Sequence, residues 1–205
     1  GNTDTTEFSF TLDTPPVISG FSADNTTSED RNVTVSFEST DDLSTVAVNI
    51  SGAESASLSL ADFTKTAVAG GFEYTATYEG STDGTYDVTL QTASDGVTDA
   101  ASDQTDSVLV DEAAPAVTVD APNDGGLYAG GDTVTIEWTA IDNVTVTDDV
   151  LVEYSTDNGT SWSTVASGLA DDGSYDWTVP DDNTSNALVR VNASDNSSNT
   201  GSDVS

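Results

Sequence analysis

Along most of this chain apolar side chains fall at every second position, in short runs separated by Gly, Asp, Asn and Pro. Successive side chains on a strand point to opposite faces, so a period of two predicts strands with one buried face. Residues 7–13 carry Phe8, Phe10 and Leu12 on one such face, and residues 17–21 form a short strand after Pro15 and Pro16. Residues 32–39 turn Val33, Val35 and Phe37 inward; residues 45–51 do the same with Val46, Val48 and Ile50. Leu58 and Leu60 mark a short segment, and residues 61–71 are less regular. Residues 72–78 then alternate Phe72, Tyr74, Ala76 and Tyr78, followed by Tyr86, Val88 and Leu90, and by Val108 with Val110. Farther on, residues 116–120, 133–140, 150–155, 162–166, 174–179 and 187–193 repeat the pattern, with Val134, Ile136 and Trp138 inward on the second of these. No stretch has a helical period. Many short strands at roughly 8–14-residue intervals predict an all-β, antiparallel sandwich architecture.

One phrase occurs twice. SFTLDTPPV at residues 9–17 and SVLVDEAAPAV at 107–117 each join a strand to a proline-containing break, and their aspartates, Asp13 and Asp111, lie 98 residues apart. Proline lacks an amide donor and restricts the residue before it to extended geometry, so each phrase reads as a short stiff joint. A sandwich of this kind takes roughly 100 residues. The expected organisation is therefore an N-terminal strand at 1–14, one sandwich at 15–112 and a second at 113–205. A further period would end beyond Ser205, so the second sandwich is expected to lack its last strand. The strand at 7–13 then belongs to an upstream domain, or completes the second sandwich of a neighbouring copy as a donor strand in an open head-to-tail filament, or lies as an extra edge strand in its own chain. Phe8, Phe10 and Leu12 are the candidate assembly residues.

Charge narrows the setting. The chain has 37 Asp and Glu against 3 Lys and Arg, no His, and a formal charge of −34. Such a chain repels nucleic acid and anionic membranes, and in dilute buffer repels itself. Salt at molar strength shortens the screening length to about 3 Å and relieves that strain. The composition resembles that of proteins from extreme halophiles. With no Cys and no His, thiol and imidazole chemistry are absent. No apolar run approaches the roughly 20 residues of a membrane helix, so direct membrane insertion is not expected.

DGTYDVTLQTASD, residues 83–95, resembles the sixth strand of bacterial and archaeal immunoglobulin-like domains. The resemblance implies two tandem immunoglobulin-like sandwiches and gives Tyr86 the role of a corner tyrosine bonding back to the backbone. The second half, with GDTVTIEW, EYSTDNGTSW and GSYDWTVP, resembles repeats of haloarchaeal and bacterial secreted proteins. Within it, STDNGTSW at 155–162 matches the Asp-box spacing of sialidase propellers. That motif is a hairpin device: Asp157 bonds its own turn, Gly159 takes positive φ, and Trp162 packs over the loop. A propeller needs it repeated every 40–50 residues or so. It occurs once, which leaves the structural reading.

Candidate chemistry reduces to oxygen ligands. Aspartates cluster at Asp41/Asp42, Asp142, Asp148/Asp149, Asp171/Asp172, Asp181/Asp182 and Asp195. Calcium takes six to eight or so oxygens, which loop carboxylates and carbonyls supply. The joint at Asp111 and Glu112 and the loop bearing Asp142, Asp148 and Asp149 are the expected places, and calcium is the one cofactor the residues suit. Paired carboxylates alone do not make a glycosidase; that chemistry needs two facing each other across a cleft, and solvated loop acids offer none. Trp138 and Trp177 fall on inward positions and read as core. Eight of the twelve asparagines open N-x-Ser/Thr: Asn25, Asn32, Asn49, Asn143, Asn158, Asn183, Asn192 and Asn196. With 58 Ser and Thr among 205 residues, chance gives about three. Surface glycosylation, and so an extracellular location, is the expectation. The function these readings imply is non-enzymatic: a structural part of a halophile's cell surface, as surface layer, fibre or filament, assembling with copies of itself or with neighbouring immunoglobulin-like domains. The rival is an accessory adhesion or carbohydrate-binding module of a larger secreted enzyme.

Overall fold

The computed structural model describes residues 12–25, 31–100, 103–147 and 149–205. They fall into two compact units, residues 32–109 with the segment before Thr26 in one and residues 110–205 with Arg31 in the other. Each is an antiparallel sandwich. Among the described residues, helix is confined to one 3-10 turn at Leu60–Asp62, so no helix is long and apolar enough to cross a membrane.

The first unit contains β1 (Ile18–Asp24), β2 (Asn32–Ser39), β3 (Thr45–Gly52), β4 (Ala56–Ser59), β5 (Thr64–Val68), β6 (Gly71–Glu79), β7 (Gly84–Ser94) and β8 (Gln104–Val110). One sheet has the order β1-β2-β6-β5 and the other β4-β3-β7-β8. The alternation read from the sequence becomes the core directly. Val33, Val35, Phe37, Tyr74 and Ala76 from the first sheet are buried with Val46, Val48, Ile50, Tyr86, Val88 and Leu90 from the second. Fully burying one such side chain contributes about 1.5–3 kcal/mol, so this set dominates the unit's stability. Phe37 stacks on Tyr74 with centroids 5.2 Å apart and meets the edge of Phe63 at 5.5 Å. The Tyr86 hydroxyl donates to the Thr82 carbonyl at 2.7 Å, the corner that the resemblance implied.

The second unit contains β9 (Ala116–Ala121), β10 (Thr133–Ile141), β11 (Val150–Ser155), β12 (Ser163–Leu169), β13 (Ser174–Thr178), β14 (Leu188–Ser194) and β15 (Thr200–Val204). Its sheets have the orders β13-β10-β9 and β12-β11-β14-β15. Val119, Ile136, Trp138, Val150, Val152, Val189, Val191 and Ala193 form its core. The strand order in each unit is that of an immunoglobulin-like sandwich.

Two strands depart from the sequence reading. β5 occupies the irregular stretch 61–71; it is an edge strand whose first four residues are exposed, so it shows no apolar face. The larger correction is β15. The second sandwich does not lack its last strand: Thr200–Val204 pairs along β14, from Arg190 opposite Val204 to Ser194 opposite Thr200. Its sequence, TGSDV, hides this because its half-buried positions hold Gly201 and Asp203 rather than large apolar groups. Gly201 sits so close to β9 that an added Cβ would lie 1.8 Å from the Pro115 carbonyl oxygen. The Asp203 carboxylate accepts the Val119 amide at 2.8 Å. The first unit repeats this device, with Asp106 on β8 accepting the Ala23 amide of β1 at 2.9 Å. In both, a carboxylate on the closing strand satisfies an amide that the first strand's own sheet leaves unpaired. The place of the last strand in the second unit is thus taken by β15 of the same chain. Leu12 is 77% exposed, while Phe8 and Phe10 lie outside the described residues.

Replacing Gly201 by Ala should detach β15, because backbone must move to admit the methyl group. Hydrogen exchange at Gly201–Ser205 amides should then rise by an order of magnitude or more, while the exposed control Ser202→Ala should leave it unchanged.

Candidate metal centre

Three aspartates meet in the second unit. One carboxylate oxygen from each of Asp111, Asp142 and Asp195 lies within 4.8 Å of the others. Local hydrogen bonding builds each corner. Asp142 follows β10 and turns the chain by accepting the Val144 amide at 2.8 Å and the Thr145 amide at 3.1 Å through Oδ1. Its Oδ2 is buried and has no hydrogen-bond partner. Asp195 ends β14 and closes the turn before β15: Oδ1 accepts the Ser197 and Asn199 amides at 2.8 and 2.9 Å. The Asn199 side-chain amide then donates both to Asp195 Oδ2 at 2.7 Å and to the Asp111 carbonyl at 3.0 Å. A single antiparallel bridge, Val146 to Asp195, and the bond from Thr147 N to Ser194 O at 2.8 Å hold the two loops together. Asp111 and Asp195 are only 4% and 3% exposed.

Unit charges at this separation repel by on the order of 3 kcal/mol per pair at an effective dielectric near 20. Arg31 pairs with Glu112, Lys65 with Asp42 and Arg190 with Glu153. An all-oxygen donor set without imidazole or thiolate suits a hard cation such as calcium and not a softer transition metal. Asp111, Asp142 and Asp195 are the residues that could hold it.

The structure sorts the residues expected here. Asp111 and Asp142, expected at two separate places, lie in one group. Glu112 does not join them, since it pairs with Arg31, and Asp149 is exposed and outside the group. Asp148 lies outside the described residues. The third carboxylate, Asp195, sits on a different loop, and no spacing rule links it to Asp111; its turn sequence DNSSN is the one local signal.

The Asp-box segment is a self-contained hairpin. Asp157 accepts the Ser161 amide at 2.8 Å and the Ser161 hydroxyl at 2.6 Å, and Ser155 Oγ donates to it at 2.8 Å. Gly159 has φ +80°, and a Cβ there would lie 3.3 Å from the Trp162 ring. The Arg190 guanidinium lies over that ring, 4.3 Å from its centroid, and bonds Glu153. Trp162 is thus a packing residue. Trp138 is core, its indole N–H donating to Asp171 at 2.9 Å. Trp177 is a partial correction: it is half-buried and lines a cavity of about 290 Å³. A sandwich without any cleft was expected; the described residues contain this one, lined from both sheets of the second unit.

The sequons divide by exposure. Asn143, Asn158, Asn183 and Asn196 are exposed, whereas Asn25, Asn32, Asn49 and Asn192 are half-buried. The Asn192 amide nitrogen is engaged, donating to Glu153 at 3.1 Å.

No protein-family model matches the sequence. No curated protein matches it either. Among solved structures the chain is similar to fibronectin(III)-like modules of Clostridium thermocellum CbhA, at 16% identity and TM-score 0.40 over 91% of this chain and 90% of that one. It is similar to a multi-domain segment of titin at 16% identity and TM-score 0.47, covering 90% of this chain and 62% of that one. A two-domain fibronectin type III segment of chicken tenascin matches at 12% identity and TM-score 0.37 over 92% and 98% of the two chains. The strand orders of the two units make each an immunoglobulin-like sandwich.

Hydrogen bonds, first from the Ser161 hydroxyl and then from its amide, hold the Asp157 carboxyl at about 2, below the usual 3.8. Because the folded value is the lower one, this hairpin's contribution is fully present above pH 3.8 and is lost as pH falls through about 2. Carbon-detected NMR should show Asp157 titrating near 2, and Ser161→Ala should move its midpoint upward.

Proposed function

We propose that this chain is a non-enzymatic structural module of a halophile's outer surface, made of tandem immunoglobulin-like sandwiches that assemble with copies of themselves or with neighbouring domains of the same kind. The observation that carries this reading is the charge: −34 on a chain with only three basic side chains, each of which pairs with a carboxylate. Such a surface tolerates concentrated salt and suits an extracellular scaffold. Among the sequons Asn143, Asn158, Asn183 and Asn196 are the favoured glycan sites, since an exposed side chain is what attachment requires. Asp111, Asp142 and Asp195 hold a calcium ion that fixes the two loops of the second sandwich to the chain's entry into it. With β15 in place, assembly proceeds through surfaces other than a missing last strand.

Purification in molar salt followed by electron microscopy tests the assembly reading. Ordered polymers support it; a monomer that binds polysaccharide favours the accessory-module reading instead. Two stability measurements test the ionic part. The thermal midpoint should rise by at least about 4–8 °C, the shift of roughly 1 kcal/mol in a domain of this size, between dilute buffer and molar NaCl. Millimolar calcium should add a separate increment, about 2.7 kcal/mol at a hundredfold excess over its dissociation constant. Asp195→Asn should abolish the calcium increment and leave the sodium chloride response in place.

A further inference from the structure

The cavity in the second unit is lined by aromatic rings, acids and small loop residues. Tyr128, Tyr154 and Trp177 contribute aromatic rings, and Asp124 and Asp182 contribute carboxylates at its border. Tyr154 and Trp177 are neighbours, with centroids 5.3 Å apart and planes tilted by 44°. Each tyrosine is tied to one acid: Tyr154 Oη donates to Asp182 at 3.1 Å, and Tyr128 Oη reaches Asp124 at 3.5 Å. Asp124 is itself held in place by the Gly126 amide at 2.8 Å. Tyr128 is 45% exposed, so its ring is open to a ligand. None of the described residues lining the cavity is basic. Its volume, about 290 Å³, falls near the lower end of small-molecule sites, roughly 300 Å³.

This chemistry selects among ligands. An anion would meet two carboxylates and no countercharge. A wholly apolar group would cover carboxylates and phenol oxygens without replacing their water. A neutral sugar could stack and donate hydroxyls, but would gain nothing from the charge. A weakly hydrated organic cation satisfies every feature, because ring faces carry negative quadrupole density and the acids supply charge balance. We propose that this groove binds a small organic cation of the alkylammonium class, its methyl surface against Tyr128, Tyr154 and Trp177 and its charge offset by Asp124 and Asp182. This goes beyond the scaffold role and does not depend on it.

The test uses the full chain, titrated with choline chloride while NMR follows the Gly125 and Gly126 amides and the Trp177 indole, with sodium chloride at matched ionic strength as reference. Saturable shifts confined to these groups are expected. The uncharged isostere 3,3-dimethylbutan-1-ol should bind about tenfold more weakly. Tyr128→Ala, a change on an exposed loop, should weaken choline binding at least about fivefold while the core resonances stay in place. Equal binding of the isostere would reduce the site to an apolar groove, and tighter binding of methyl glucoside would make it a sugar site; either result overturns the proposal. So would the absence of saturable shifts in the groove, or an unchanged affinity in Tyr128→Ala.

Discussion

Both sandwiches depend on the burial of one face of each strand against the opposing sheet. In the first unit Val33, Val35 and Phe37 on β2 and Val46, Val48 and Ile50 on β3 are almost wholly removed from water, and their intervening residues are not. A register slip of one residue would exchange these faces, placing Thr and Ser in the core and valines in solvent, so the pattern fixes pairing as well as strand identity. The aromatic residues refine this packing. Phe37, Phe63 and Tyr74 fill one part of the interior, and the Tyr74 hydroxyl accepts the Leu43 amide at 2.8 Å, so a buried polar atom is satisfied by a loop it also anchors.

The acidic residues are not merely a charged coat. Many of them are the backbone's hydrogen-bond acceptors wherever the sheets leave amides unpaired. Asp106 and Asp203 serve the first strand of each unit, Asp142 and Asp195 close turns, and Asp157 organises a hairpin. Carboxylates accept such bonds more strongly than neutral groups do. An Asp-rich composition therefore serves local structure and electrostatics together, and its cost is mutual repulsion. That repulsion acts at short range where Asp111, Asp142 and Asp195 converge, each with a carboxylate oxygen within 4.8 Å of the others.

The parts of the fold visible in the sequence are those whose residues report their surroundings locally. The valine alternation on β2, β3 and β14 and the position of Tyr86 all state which way a side chain faces. β5 and β15 escape that reading because each lies at a sheet edge. Edge strands owe their place to hydrogen bonds from one neighbour, and TKTAV and TGSDV carry no apolar stripe to announce it. The small size of Gly201 is as necessary to β15 as a valine is to the core, yet it looks like an ordinary turn residue in a list of letters.

The sequence by itself determined the class of the fold, the core, the duplication and the shortage of basic partners, because periodicity and composition are properties of neighbours along the chain. Only the tertiary structure decided which aspartates share a site and which do not. Asp111, Asp142 and Asp195 come from three separate connections, and their meeting is set by how β8, β10 and β14 end, whereas adjacent Glu112 turns to Arg31. The same holds for Tyr128, Tyr154 and Trp177, which lie on a loop and on opposite sheets and acquire a common surface once those sheets pack. Contacts between distant residues carry no sequence period, since they follow from strand order, and strand order is decided when the two faces are buried together.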